Sequence, residues 1–169
     1  MQAGQTGVMS TLSPDDLDHL RRCVTLAATA LAEGNQPFGS LLVDAAGHVL
    51  REDHNRDGRG DHTRHPELAL AQWASAQLSP EVRAGATVYT SGEHCAMCAG
   101  AHAWAGLGRI VFVVAASRLA ELLHLWGAPP SPVAPLAITT VAPHLPVQGP
   151  VPALATDVEA LYERCFRPA

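Results

Sequence analysis

Apolar residues fall at Leu17, Leu20, Val24, Ala27, Ala28 and Leu31, with polar residues between them. That spacing predicts an amphipathic helix. Ser13-Pro14-Asp15-Asp16 supplies its start: a serine N-cap, proline in the first turn and acids against the helix dipole. Gly34 ends it. Phe38–Asp44 and His48–Asp53 predict two strands joined as a hairpin at Ala45-Ala46-Gly47. Residues 54–64, rich in Asp, Arg and Gly, predict a polar loop, and Pro66 opens a helix to about Leu78. Ala86–Thr90 predicts a third strand and Cys95–Leu107 a helix. Ile110–Ala115 is nearly continuous apolar sequence, as in a strand buried within a sheet. Arg118–Trp126 predicts a short helix, and Gly127–Pro135, with four prolines, an irregular connection. Leu136–Val141 predicts the fifth strand. The proline-rich stretch 143–152 then leads to a last helix at Ala153–Cys165. A hairpin followed by alternating helices and strands implies an α/β mixed sheet with helices on its faces.

Composition narrows this to one domain. A chain of 169 residues, 47% hydrophobic, can bury a sizeable core. Residues 1–12 are expected to be a flexible tail and 13–169 a single catalytic domain. No apolar run is long enough to span a bilayer, and the first ten residues lack the pattern of a signal peptide. Two of the four cysteines sit in C-x-x-C, while Cys23 and Cys165 fall in predicted helices. That usage points to a reducing, cytoplasmic setting without a disulfide framework.

Net charge is -5, and the chain has no lysine. Its densest basic cluster, Arg56, Arg59 and Arg64, is interleaved with Asp53, Asp57 and Asp61. Such a loop reads as a solvated segment whose field largely cancels. Nucleic-acid binding draws on Lys and Arg contacts to phosphate, so this charge pattern disfavours tRNA or DNA as substrate.

The chemistry concentrates in His65-Pro66-Glu67 and, 28 residues after Glu67, Cys95-Ala96-Met97-Cys98. His65, Cys95 and Cys98 are candidate zinc ligands. Three protein ligands leave the fourth position to a catalytic water. Glu67, beside the ligating histidine, is the candidate proton carrier for that water. Both segments open predicted helices, where the dipole favours thiolates. Plainer readings stand beside this one. The zinc could be structural, with His62 or His94 as a fourth ligand, or the C-x-x-C could be a redox pair. Glu67 could be an ordinary first-turn acid.

The match extends beyond these motifs. Asn35-Gln36-Pro37-Phe38-Gly39-Ser40, His54-Asn55, Ser91-Gly92-Glu93-His94-Cys95-Ala96-Met97-Cys98-Ala99-Gly100-Ala101 and Gly108-Arg109-Ile110-Val111-Phe112 follow in order. Across roughly residues 13–115 the chain resembles the zinc-dependent cytidine/deoxycytidylate deaminase-like superfamily. The similarity is to its nucleobase (guanine, cytosine) and tRNA-adenosine deaminase branch. That resemblance implies a three-layer α/β/α fold with a five-stranded mixed sheet. It also implies one Zn2+ per chain, a homodimer, and hydrolysis of an exocyclic amine to a carbonyl with release of ammonia.

The implied substrate is a small heterocyclic amine of guanine or cytosine type. A tRNA-specific adenosine deaminase is the alternative, favoured by C-A-M-C-A-G-A. A non-catalytic zinc-binding interaction protein is the reading from another class. By the same resemblance, Asn55 would bond a polar edge of the base and Phe38 would lie against its ring. Asn55 could instead stabilise a turn, and Phe38 could be a core residue. His94 stands where the family has proline; it either lines the pocket or merely replaces a loop-shaping residue. Trp104 and Trp126 are pocket walls or packing. Pro66 replaces the alanine of the pyrimidine nucleoside deaminases. Beyond Val114 the resemblance ends.

Overall fold

The computed structural model describes residues 11–169. Helix α1 (Pro14–Ala32) opens with a capping box. Asp16 N donates to Ser13 Oγ at 3.1 Å, and Ser13 N donates to Asp16 Oδ2 at 2.8 Å. Gly34, at φ +82°, takes the left-handed turn after the helix. Strands β1 (Gly39–Val43) and β2 (Val49–His54) form an antiparallel hairpin. Asp44 Oδ1 holds its turn by accepting from Ala46 N and His48 N, each at 2.9 Å.

A short 3-10 turn (Asp57–Arg59) interrupts the polar loop before α2 (Pro66–Gln77) and α3 (Pro80–Gly85). The chain continues through β3 (Thr87–Gly92), α4 (Ala96–Trp104), β4 (Arg109–Val114) and α5 (Ala116–Leu125). It ends with α6 (Ile138–Val141), β5 (Val147–Gln148) and α7 (Pro152–Phe166). Helix α3, capped by Ser79, is an element that the sequence pattern does not predict.

The five strands run in the order β2-β1-β3-β4-β5. β1 is antiparallel to β2 and β3, while β3–β4 and β4–β5 are parallel, so the sheet is mixed. Alternate strand residues serve opposite faces. Leu41, Val43 and Tyr89 join Leu20, Cys23 and Leu26 of α1 and Leu154, Val158 and Tyr162 of α7 in one core. Leu42 and Val88 join Leu70, Ala71 and Ala74 of α2 in the other. The expected three layers are therefore present. Gly39 lets α1 press onto β1: a Cβ there would stand 2.5 Å from Cys23 O.

The fifth strand needs correction. The sequence pattern puts it at Leu136–Val141, but that run contains α6, and β5 is Val147–Gln148 inside the proline-rich stretch. A short apolar run does not separate a strand from a buried helical turn. Here Ile138 N is taken by Glu93 Oε1 at 2.9 Å, and Ala142 N returns to Ile138 O at 2.7 Å. Ile138 is then fully buried against Ala99, Ile110 and Phe112. β5 lies at the sheet edge, where neighbouring Pro146 and Pro150 are tolerated.

Of the expected tail, residues 1–10 lie outside the described residues; Leu12 packs on the first core. Among the described residues, no helix is long and apolar enough to cross a membrane. All four cysteines are free thiols.

Candidate active site

Two helix starts converge at one end of the sheet. His65 is the N-cap of α2, with extended backbone (φ -82°, ψ 142°), followed by Pro66 in the first turn. Cys95 is the N-cap of α4 (φ -67°, ψ 169°), and Cys98 sits in its first turn. Extended caps turn the side chains back over the helix ends, where unpaired N–H groups favour negative charge. His65 Nδ1 lies 3.7 Å from Cys95 Sγ and 3.5 Å from Cys98 Sγ. The three ligand atoms lie within 4.8 Å of one another, and among the described residues no other group of three or more His, Cys, Asp or Glu side chains does so.

This donor set fits zinc. Two thiolates and an imidazole are ligands that Zn2+ takes readily. Tetrahedral bonds of ~2.3 Å to sulfur and ~2.0–2.1 Å to nitrogen give a sulfur–nitrogen edge of about 3.6 Å, close to both spacings. The thiols titrate as a pair. The hydrogen bond from Cys98, with further help from His65, pulls Cys95 down to about 4, and the same bond pushes Cys98 up. The contact with Cys95 raises His65.

Glu67 is buried beside this cluster, 6% exposed. Its Oε1 accepts from Ser40 Oγ and Thr90 Oγ1, each at 2.9 Å. The hydroxyls are 3.0 Å apart, and Thr90 Oγ1 is also 2.9 Å from Gly92 O. Burial raises the Glu67 pKa; His65 and the two hydroxyls offset only part of that shift.

The remaining residues singled out from the sequence divide. Asn55 is fully buried, its N donates to Phe38 O at 2.9 Å, and neither Oδ1 nor Nδ2 has a partner among the described residues. His94 is also buried, and neither ring nitrogen has a partner among the described residues. Its ring stands edge-on to His102 at 5.4 Å, and burial lowers its pKa well below the ordinary value. Phe38 is half-buried on the first core, its ring 5.5 Å from that of Tyr162.

His62 pairs with Asp57 at 3.7 Å. Neither His62 nor His94 belongs to the His65–Cys95–Cys98 group. Trp126 packs on the first core, whereas Trp104 is 94% exposed. A cavity of about 340 Å³ reaches His65 between the polar loop and α2. It contains Arg56 and Arg64 but also Asp53 and Asp61, so the cationic groove that would favour a nucleic acid is neutralised.

Sequence reasoning missed three neighbours. Ser40 and Thr90 read as ordinary strand residues; only their shared register betrays them. Glu93 lies within a motif whose pattern assigns it no role. Its Oε2 accepts from Ala116 N and its Oε1 from Ile138 N, each at 2.9 Å. It thereby ties the starts of α5 and α6 to the loop bearing Cys95.

Comparisons with known proteins bear on the family and the fold. The family model for the cytidine and deoxycytidylate deaminase zinc-binding region matches residues 13–114. A probable cytosine deaminase of Schizosaccharomyces pombe is 36% identical over 120 residues, 70% of this chain and 72% of that protein. A tRNA-specific adenosine deaminase of Haemophilus influenzae is 32% identical over 94 residues, 55% of this chain and 54% of that one. The solved guanine deaminase from Nitrosomonas europaea superposes with a TM-score of 0.64 at 20% identity, covering 98% of this chain and 95% of that one. This last likeness is one of fold.

Proposed function

Because the chain belongs to the cytidine and deoxycytidylate deaminase zinc-binding family, we propose that it hydrolyses the exocyclic amine of a small nucleobase-like heterocycle. The observation that carries this reading is the three-donor cluster of His65, Cys95 and Cys98 with buried Glu67 two residues from its histidine. His65 Nδ1 and the two Sγ atoms would hold one zinc ion per chain. When bound, zinc supplies Lewis acidity and lowers the pKa of a water toward ~7.

Glu67 moves the protons. It accepts one from the attacking water and returns protons to the ring nitrogen and to the departing ammonia. The C–NH2 bond is exchanged for C=O, and no redox partner is needed. Ser40 and Thr90 both hold Oε1, which leaves the second oxygen as the transfer point. The hydroxyls can follow the proton. They donate to the carboxylate when it is ionised and can turn along Ser40–Thr90–Gly92 O when it is protonated. Burial favours the protonated form between transfers.

Asn55 offers the base an acceptor and a donor that no group among the described residues uses. His94, next to Cys95 in the chain, offers a neutral imidazole, and Phe38 an apolar ring. Guanine or cytosine type is favoured by the 36% identity with a probable cytosine deaminase and by the neutralised groove. Adenosine in tRNA is the second reading, supported by 32% identity with a tRNA-specific adenosine deaminase. Residues 13–169 act as one domain in the cytoplasm, and the exposed Trp104 of α4 suits a homodimer contact.

The test is ammonia release by zinc-loaded protein from guanine, cytosine, adenine, their nucleosides and a tRNA anticodon stem-loop, with Glu67→Ala as control. Glu67-dependent release from a free base is the expected outcome. Release from the stem-loop alone would favour the second reading. Silence with one bound zinc would overturn both.

A further inference from the structure

The charge pattern of the loop after β2 suggests a solvated segment, yet its Asp57 is 4% exposed. The reason lies across the hairpin. β1 and β2 pair with Gly39 opposite His54. Continued past the strand ends, that register sets Phe38 opposite Asn55, Gln36 opposite Asp57 and Asn35 opposite Gly58. The first of these pairs is still joined through the main chain, Asn55 N donating to Phe38 O at 2.9 Å.

Bonded pairs alternate along an antiparallel ladder, so the next bond is due between Gln36 and Asp57. Both carbonyls are engaged locally there: Gln36 O by Phe38 N at 3.0 Å and Asp57 O by Gly60 N at 3.1 Å. The Asp57 side chain makes the bond instead, its Oδ1 accepting from Gln36 N at 2.9 Å. One step further, Asn35 Oδ1 accepts from Gly58 N at 2.9 Å. Gly58 permits that approach, because a Cβ there would stand 2.5 Å from Gly34 O. Two crossed side-chain bonds thus carry the hairpin register beyond its strands. Between them and the sheet lie Phe38 and Asn55. Neither polar atom of the buried Asn55 side chain has a partner among the described residues, so its amide is placed by the main chain alone.

We propose that Asp57 and Asn35 are positioning residues for substrate binding: their crossed bonds hold the Asn55 amide in the orientation that meets the base. This rests on the deaminase reading above, with Asn55 as a contact to the base. An amide that must pair with a ligand gains affinity when its backbone is fixed beforehand, since binding then orders less of the loop. The clasp touches neither the metal ligands nor Glu67, so its loss should weaken binding and spare the chemical step.

The test uses zinc-loaded protein and the base that the wild type deaminates. Asp57→Ala and Asn35→Ala should each raise KM about three- to tenfold, with kcat and zinc content held. Asp57→Asn keeps an acceptor oxygen and should return KM toward wild type. The decisive arm is a double-mutant cycle. In an Asn55→Ala background, adding Asp57→Ala should raise KM no further, because the group it positions is gone. If Asp57→Ala does not fold, Asn35→Ala takes its place in the same cycle. Unchanged KM in the single variants, or an equal rise with and without Asn55, would overturn the proposal and leave the deaminase reading standing. A wild type silent on every base would overturn that reading, and this inference with it.

Discussion

Asp16 and Glu67 are both buried carboxylates, and their surroundings drive them in opposite directions. Burial alone would raise Asp16. The Tyr89 hydroxyl at 2.6 Å, Ser13 N at 2.8 Å and Arg109 at 3.1 Å outweigh it and hold the group at about 2. Arg109 reaches on to Gln148, so α1, β3, β4 and β5 meet through one acid. Around Glu67 burial prevails over two hydroxyls and a histidine, and its pKa rises. Asn55, which follows β2, and His94, which precedes Cys95, contribute four of the five buried side-chain N and O atoms without a partner among the described residues. One region has closed its hydrogen bonds; the other keeps them open, as a site that must receive a ligand does.

The largest effect should come from Glu67→Gln. Ammonia release should drop by at least ~100-fold, while urea denaturation shows stability at or above wild type, because a buried ionisable group is gone. A clear loss of stability would break the contrast. Asp16→Ala should do the reverse, costing roughly 2–3 kcal/mol in the same denaturation experiment while the folded fraction keeps its kcat.

Acid should sharpen the difference further. The folded pKa of Asp16, about 2, lies below its ordinary unfolded value of ~3.9. Its contribution is therefore complete above about pH 4 and is lost as pH falls toward 2. Wild type should lose stability faster than Asp16→Asn across that window. Steeper acid sensitivity in the variant would contradict the assignment.

Much of this contrast is legible in the amino-acid sequence. Ser13-Pro14-Asp15-Asp16 contains its capping box in four letters, and both metal-binding motifs fall at the helix starts where their spacing puts them. Local chemistry decides such features. What escapes a sequence reading depends on partners distant along the chain. Ile138 becomes helical because Glu93, 45 residues earlier, supplies the acceptor for its N–H. Leu136–Val141 carries no trace of that.

Glu93 therefore provides the smallest of these effects. Glu93→Gln replaces one acceptor oxygen by a donor and should cost about 1 kcal/mol. Amide exchange should quicken at Ala116 or Ile138, and the Asp16 network should be unaffected.

Ser40 and Thr90 face one another as register partners on antiparallel strands β1 and β3. The oxygen they share is thus gauged by the main chain, as a jig sets a tool. A slip of one residue between those strands would carry one of the two hydroxyls through to the α1 side and part the pair. Alignment of the Glu67 carboxylate is consequently an inheritance of the sheet. The surrounding loops can change over evolutionary time, or in a library built to do so, without retuning that carboxylate at each step.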